Sequence, residues 1–265
     1  MQKIELDSIK NVIVVASGKG GVGKSTVAAN LALALSRKNF KVGLVDADIY
    51  GPSIPSMFGL GMQNVEQIEE NGRNIIYPIV KYGIKLMSLG FMVPEERAII
   101  WRGPLVANAV KQIFSDVIWA DLDYLIVDFP PGTGDVHITA IQDIRIDGAI
   151  IVTTPQTIAV NDARKSAEML SNPALSVPIL GIVENMSWFT PKNHPEEKYY
   201  IFGQGGGEKI AKEFYTTLLT QLPLIQDSSE NAKDIQNLYI DDENPMKNLF
   251  DNLADKVIEK IKTKK

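Results

Sequence analysis

The apolar positions of the chain alternate between short continuous runs and longer stretches with helical spacing. Runs of about five apolar residues, rich in Val and Ile, are typical of strands that are buried on both faces. These predicted strands span residues 12–16, 42–46, 84–89, 124–128, 149–153 and 179–184. Apolar residues three and four positions apart predict helices. These helices span residues 24–38, 103–117, 136–145 and 156–170.

Strands and helices in this alternating order predict an α/β fold, a doubly wound and mostly parallel sheet with helices on both faces. The sequence contains no internal repeat and no low-complexity linker, so we expect one domain over residues 1–265. Two stretches rich in Gly, Pro or Ser predict long loops, 48–72 with short helices in it and 187–207. Such sheets bind ligands at the carboxyl ends of their strands, where loops of this kind lie.

The composition of the chain excludes several kinds of site and argues against several classes of function. The 265 residues carry a net charge of −5 and no cysteine, which excludes disulfides, thiolate metal sites and cysteine nucleophiles. An acidic total without a basic stripe argues against nucleic-acid binding. The apolar runs fall far short of the roughly 18 residues of a membrane span. Because residues 1–10 also lack a signal-peptide core, we expect a cytoplasmic protein without a membrane partner.

A phosphate-binding loop follows the first predicted strand and opens the first predicted helix. Residues 18–25 match the pattern G-x-x-x-x-G-K-[ST] in full. Glycines let backbone N–H groups surround phosphate oxygens, and the helix amino terminus adds partial positive charge. Lys24 would contact the outer phosphates of ATP, and Ser25 would offer its hydroxyl to Mg²⁺. The predicted nucleotide-binding residues of this loop are Gly18, Gly20, Gly21, Val22, Gly23, Lys24, Ser25 and Thr26.

Three carboxylates stand at the ends of predicted strands. Asp46 and Asp48 lie at the end of the second strand, and Asp128 ends the fourth. Mg²⁺ beside a P-loop is held by the loop hydroxyl and a strand-end aspartate, and a further residue orients the attacking water. We therefore expect Asp128 and Asp46 near the metal with Ser25, and Asp48 as the residue that positions water. The turn 132–134 would sense the γ-phosphate as switch loops do.

Longer motifs are similar to those of the Mrp/ApbC family of ATPases, within the MinD/ParA superfamily. The runs D-I-Y-G-P-S at 48–53 and P-P-G-T-G-D at 130–135 are the most specific. Further similar segments are 101–104, 184–187 and 201–203. Lys19, near the start of the loop, resembles the additional lysine of the deviant Walker A motif in this superfamily. The resemblance runs from about Ile9 to the carboxyl terminus.

The resemblance implies a homodimeric, doubly wound iron–sulfur cluster carrier ATPase. It implies that Lys19 reaches the phosphates bound by the partner subunit, so that activity depends on ATP-dependent dimerisation. It also implies that Asn185 contacts the adenine base, since an amide offers both a donor and an acceptor. Many members carry an additional amino-terminal domain of about 100 residues. In this sequence the first predicted strand already begins at residue 12.

One departure from the family concerns its cluster chemistry. Members usually carry a Cys-x-x-Cys after the segment that corresponds to 184–187, whereas residues 191–194 here read Pro-Lys-Asn-His. His194 offers one imidazole per subunit, and common iron–sulfur clusters need four ligands that are mostly thiolates. We therefore expect ATP and Mg²⁺ as ligands and doubt a bound cluster. Iron–sulfur apoproteins or a separate cysteine-bearing scaffold are the expected partners beside a second copy of the chain.

Two other functions are compatible with parts of the sequence. A MinD/ParA-type positioning switch would bind a membrane or DNA, and an apolar stripe near the carboxyl terminus followed by lysines could form an interfacial anchor. Packing on the sheet explains the same stripe. Its members are Met246, Leu249, Phe250, Leu253, Val257, Ile258 and Ile261. A metabolic ligase of the dethiobiotin-synthetase type would share the fold but not the run at 48–53.

Overall fold

A computed structural model describes residues 6–49, 51–61, 65–70, 72–92, 103–133, 141–142, 144–191, 193–225 and 245–264. Some sequence predictions fall outside these residues. They concern Tyr50, Trp101, Arg102, Gly134, Asp135, Lys192 and most of the helix predicted over 136–145.

Eight strands of the described chain form one sheet. They are β1 (Val12–Ala16), β2 (Val42–Asp46), β5 (Ile79–Lys81), β6 (Ile84–Ser88), β7 (Tyr124–Asp128), β8 (Gly148–Thr153), β9 (Ile179–Glu184) and β10 (Leu218–Gln221). Their order in the sheet is β10-β9-β8-β1-β7-β2-β6-β5. All neighbours pair in parallel except β5, which is antiparallel to β6 at one edge. A separate antiparallel pair consists of β3 (Gln67–Glu70) and β4 (Arg73–Ile76). The predicted α/β fold with a mostly parallel sheet is confirmed.

Helices connect the strands and cover the sheet. They are α1 (Lys24–Arg37), α2 (Ile54–Met57), α3 (Gly103–Ser115), α4 (Thr157–Ser171), α5 (Gly206–Glu213) and α6 (Pro245–Lys262), with a 3₁₀ helix at Leu89–Met92. The residues of β1, β2 and β7 are all buried, as expected for central parallel strands covered on both faces. Three predicted helices match α1, α3 and α4 to within two residues at each end.

The predicted loop over 48–72 is only partly correct. It contains the short helix α2, but its last part forms strand β3, whose four side chains are all exposed. Ile68 is the single apolar residue of this strand, so the sequence shows no alternation of apolar and polar residues that would predict it. The described residues of the loop predicted over 187–207 form no helix up to Gly205, and α5 begins at Gly206. Within it, Phe189 and Tyr199 form one antiparallel bridge.

The order of the strands brings the predicted site residues to one edge of the sheet. Strand β7 lies between β1 and β2, and Asp128 at its carboxyl end pairs with Val15 on one side and Asp46 on the other. The loop that follows β1 therefore lies beside the ends of β2 and β7. Parallel pairing thus places residues about a hundred positions apart around one small volume.

Helix α6 packs against α1. Its apolar stripe is buried, with Phe250, Leu253 and Val257 at most 1% exposed. Asp251 on α6 accepts from Arg37 at 2.6 Å, and Asp255 accepts from Lys38 at 2.8 Å. This stripe belongs to the core, so the structure does not favour an interfacial anchor. Among the described residues, no helix combines the length and apolar character needed to cross a bilayer.

Candidate nucleotide-binding site

The loop between β1 and α1 has the geometry of a phosphate cradle. Gly21 and Gly23 have φ angles of +80° and +83°, in the left-handed region that glycine adopts without strain. A Cβ on Gly20 or Gly21 would meet no atom within 4 Å, so both residues border open space. The loop thus leaves room for an anion beside the amino terminus of α1.

Packing within the chain requires a glycine at two positions of the loop, Gly18 and Gly23. A Cβ on Gly18 would lie 2.0 Å from the backbone of Asp162 in α4. A Cβ on Gly23 would lie 2.1 Å from Nδ2 of Asn185. Gly18 therefore lets a helix backbone approach the loop, a role that the linear motif does not reveal. Asp162 is a neighbour of the site that the sequence did not identify.

Lys24 and Asp128 form a buried ion pair under the loop. Lys24 Nζ donates to Asp128 Oδ1 at 2.5 Å, and the two side chains are 6% and 0% exposed. Burial raises the pKa of Asp128, which the charge of Lys24 and the Lys24 and Ser25 hydrogen bonds partly offset. Among the described residues, Asp128 Oδ2 has no hydrogen-bond partner. A buried and unpaired carboxylate oxygen is a free acceptor at this point of the site.

Asp46 is adjacent to Asp128, but both of its carboxylate oxygens already accept hydrogen bonds from backbone N–H groups. Its Oδ1 accepts from the N–H of Asp48 and its Oδ2 from the N–H of Ile54, each at 3.1 Å. Burial and the neighbouring charge of Asp128 raise the pKa of Asp46 to about 7. Asp46 thus fixes the course of the chain from β2 to α2 beside the site.

Asp48 is half-buried, and its charge contributes to the raised pKa of Asp128. Its Oδ1 accepts from the N–H of Gly51 at 3.3 Å, which orients the carboxylate within the loop. The N–H of Gly132 donates to the carbonyl of Ser17 at 3.1 Å, so the predicted switch turn contacts the phosphate loop directly. The structure thus places Asp46, Asp48 and Gly132 beside the loop.

The remaining predicted residues lie around the loop. Lys19 is half-buried, and its carbonyl accepts from the Ser17 hydroxyl at 3.0 Å. Thr26 is exposed in the first turn of α1. Asn185, at the end of β9, donates from Nδ2 to the Val22 carbonyl at 2.9 Å. The amide predicted to contact adenine therefore touches the loop itself.

Oxygen donors suited to Mg²⁺ come together here. Lys24 Nζ lies 3.5 Å from Ser25 Oγ and bonds Asp128, so hydroxyl and carboxylate are neighbours. Hard oxygen ligands from one hydroxyl and one or two carboxylates are typical of Mg²⁺ bound with a nucleotide. The unpaired Asp128 Oδ2 fits this set, whereas both oxygens of Asp46 already accept N–H groups. Asp46 is better placed to act through water than as a direct ligand.

His194 lies in the exposed part of the 187–205 segment. Its Nδ1 is 3.7 Å from Glu196 Oε1 and 3.9 Å from Glu197 Oε1. The side chain is 59% exposed. The described residues of this cluster thus supply one imidazole and two carboxylate groups.

Comparison with known proteins agrees with this geometry. The family model described as ParA, NUBPL iron-transfer P-loop NTPase matches residues 8–258. The chain belongs to this family. An iron–sulfur cluster carrier protein of Synechocystis is 48% identical over 216 residues, which cover 82% of this chain and 61% of that protein. One of Methanocaldococcus jannaschii is 46% identical over 264 residues, covering 98% of this chain and 88% of that protein.

A solved structure supports the fold. A nucleotide-binding protein of Archaeoglobus fulgidus in complex with ADP is 35% identical, with a TM-score of 0.70 over 95% of this chain and 89% of that one. The family and the superfamily fold expected from the motifs are confirmed. The chain spans about three fifths of the length of the first curated relatives that it matches.

The glycines of the loop allow a matched pair of substitutions. Gly23→Ala should lower the free energy of unfolding by about 2 kcal/mol or more, because a left-handed φ and a clash with Asn185 add together. Gly20→Ala should change it by less than about 0.5 kcal/mol but weaken ATP binding, since its methyl group enters the open space. Denaturant unfolding without nucleotide, together with ATP calorimetry, checks both. Equal loss of stability in the two variants would contradict the assignment of their roles.

Proposed function

We propose that this chain binds Mg²⁺·ATP at the 18–25 loop and hydrolyses it to ADP and phosphate. One observation carries the proposal: the buried contact of Lys24 with Asp128, beside Ser25, under a loop that borders open space. Lys24 would leave Asp128 for the outer phosphates, because a charge-assisted contact with phosphate can replace the ion pair. The ADP named for the Archaeoglobus fulgidus relative supports a nucleotide at this position.

The residues of this chain would each do part of the work of hydrolysis. Loop N–H groups and Lys24 would hold the phosphates, while Ser25 and Asp128 would hold Mg²⁺. That ion, when bound, neutralises charge on the β- and γ-phosphates. Asp48, held in place by its bond with Gly51, would orient the attacking water. The Gly132 turn would respond to the γ-phosphate through its contact with Ser17.

We further propose that this activity serves iron–sulfur protein maturation, by coupling ATP to changes of a homodimer. The names of the relatives from Synechocystis and Methanocaldococcus jannaschii support this role. Because the chain has no cysteine, it would act on clusters held by an apoprotein or by a cysteine-bearing scaffold. A positioning switch on a membrane is less favoured, because the stripe on α6 is buried in the core.

Asp48→Asn tests the catalytic assignment. The variant should bind ATP with unchanged affinity but hydrolyse it more slowly, by about tenfold or more, because it alters water positioning and leaves the phosphate cradle intact. Steady-state phosphate release and ATP calorimetry measure the two effects separately. Asp121→Asn is the matched control, because Asp121 is exposed before the amino end of β7. Equal turnover in Asp48→Asn and the parent protein would remove Asp48 from catalysis.

Lys19→Ala tests the coupling to dimerisation. The variant should bind ATP almost normally as a monomer but fail to form the tighter ATP-dependent dimer, because Lys19 is expected to contact phosphates of the partner subunit. Light scattering with and without Mg²⁺·ATP reports the mass. Lys38→Ala, which removes a lysine from the far end of α1, is the control. An unchanged ATP-bound dimer in Lys19→Ala would count against a role in trans.

A further inference from the structure

Glu184 is a buried carboxylate with no assigned role in the site. It ends strand β9 and is 0% exposed. Its Oε1 accepts from the Ser187 hydroxyl at 3.0 Å and from Gln221 Nε2 at 2.8 Å. Its Oε2 accepts from the N–H of Gly207 at 2.7 Å, at the amino terminus of α5. Three donors, one of them a backbone N–H at the amino terminus of α5, thus hold the carboxylate in one position.

On one side, Glu184 is joined to the phosphate loop. The next residue, Asn185, donates from its backbone N–H to Thr153 at 2.8 Å and from Nδ2 to Val22 at 2.9 Å. Asn185 also fills the space that a side chain at Gly23 would need. A shift of the end of β9 would therefore move the loop, and a shift of the loop would move Asn185.

On the other side, Glu184 is joined to the 187–205 segment. Its carbonyl accepts from the Leu222 N–H at 2.9 Å and lies 2.8 Å from the Ser187 hydroxyl, whose single proton it shares with Oε1. Ser187 is where this segment starts, and Gly207 lies just beyond its end. The carboxylate thus holds both ends of the segment. Glu184, Trp188, Lys198 and Tyr200 also line a cavity of about 390 Å³ between the segment and the sheet.

We infer that Glu184 is a positioning residue that links the phosphate loop to the 187–205 segment, so that binding of ATP at the loop changes the segment. The inference rests on the proposed nucleotide binding. Two neighbouring residues make the two sets of contacts. The carboxylate of Glu184 binds both ends of the segment, and the side-chain amide of Asn185 binds the loop. A displacement of the loop by phosphates is transmitted through this pair to the part of the chain that carries His194.

Glu184→Gln changes this junction with little change in volume. The amide has one acceptor oxygen in place of two, so it cannot accept from Gly207 on one side and from Ser187 and Gln221 on the other at the same time. The contact of Asn185 with Val22 involves no atom of Glu184, so ATP affinity should stay within about threefold. Glu208→Gln is the matched control, because it makes the same charge change at an exposed position of the same helix.

Hydrogen exchange of the full chain, with and without Mg²⁺·ATP, tests the inference. In the parent protein and in Glu208→Gln, ATP should slow exchange in both the 17–26 loop and the 187–205 segment. In Glu184→Gln the loop should still respond, while the response of the segment should fall about tenfold. Ser187→Ala, which removes a single donor, should reduce it less and provides a second variant if Glu184→Gln unfolds.

The outcomes separate the inference from the function on which it rests. A segment that responds equally in Glu184→Gln and the parent protein would overturn the role of Glu184. So would a parent protein in which the loop responds to ATP and the segment does not. A parent protein whose loop does not respond at all would overturn nucleotide binding, and the inference with it.

Discussion

Lys24→Ala is expected to lower the affinity for ATP by about 10- to 150-fold, because a charge-assisted contact with phosphate contributes about 1.5–3 kcal/mol. The structure adds a second consequence. Lys24 is the cation that neutralises Asp128, whose side chain is fully buried. Removing one partner of a buried ion pair costs about 3–5 kcal/mol of stability, because the other charge is left uncompensated. The single variant therefore combines loss of binding with loss of stability.

The double variant Lys24→Ala/Asp128→Asn separates these two effects. It removes both charges, so much of the stability lost in Lys24→Ala should return, as expected when a buried pair is replaced as a whole. Affinity for ATP should stay low, because the phosphate contact is still absent. Thermal unfolding without nucleotide and ATP calorimetry measure the two quantities. Unchanged ATP affinity in either variant would remove Lys24 from the site, and failure to regain stability would contradict the ion pair.

The central strands were predictable because burial on both faces leaves a continuous apolar run in the sequence. Strand β7 is an example, since its five residues are all buried and its predicted bounds are those observed. Strand β3 was not predictable in this way, because Ile68 is the single apolar residue among its four exposed residues and the strand pairs with β4 alone among the described strands. Strand β10 is four residues long and lies at the edge of the sheet. Its pairing with β9 depends on contacts that no local pattern records.

Some features of the site can likewise be predicted from a local sequence motif, whereas others depend on contacts between residues far apart in the chain. The phosphate loop is a linear motif, so its residues could be named from the sequence. The contact of Lys24 with Asp128 joins residues 104 positions apart and depends on the pairing of β1 with β7. The approach of Asp162 to Gly18 likewise requires α4 to be in place. Glu184 was visible within a motif, but its burial and its three donors are properties of the folded chain.

The absence of cysteine leads to the other large effect that we expect: the purified chain should hold no stable [4Fe–4S] cluster. Such clusters are bound by four ligands that are mostly thiolates. The chain has no cysteine, and a dimer would supply only two imidazoles from His194 at the place where the family usually has its Cys-x-x-Cys. Glu196 and Glu197 lie next to His194, with their Oε1 atoms within 3.9 Å of its Nδ1. Carboxylates are poor ligands for a soft iron–sulfur cluster.

Anaerobic reconstitution with iron and sulfide, followed by desalting, measures this directly. We expect no near-stoichiometric iron or sulfide and no cluster absorbance, for the parent protein and for His194→Ala alike. Retention of about four iron and four sulfide per dimer, lost in His194→Ala, would show instead that the chain carries a cluster itself. Repeating the reconstitution with a cysteine-bearing partner gives the complementary test. A cluster that forms only in that mixture must take every thiolate ligand from the partner. If that cluster is also transferred faster when ATP is hydrolysed, this chain is the ATPase component of a two-protein system.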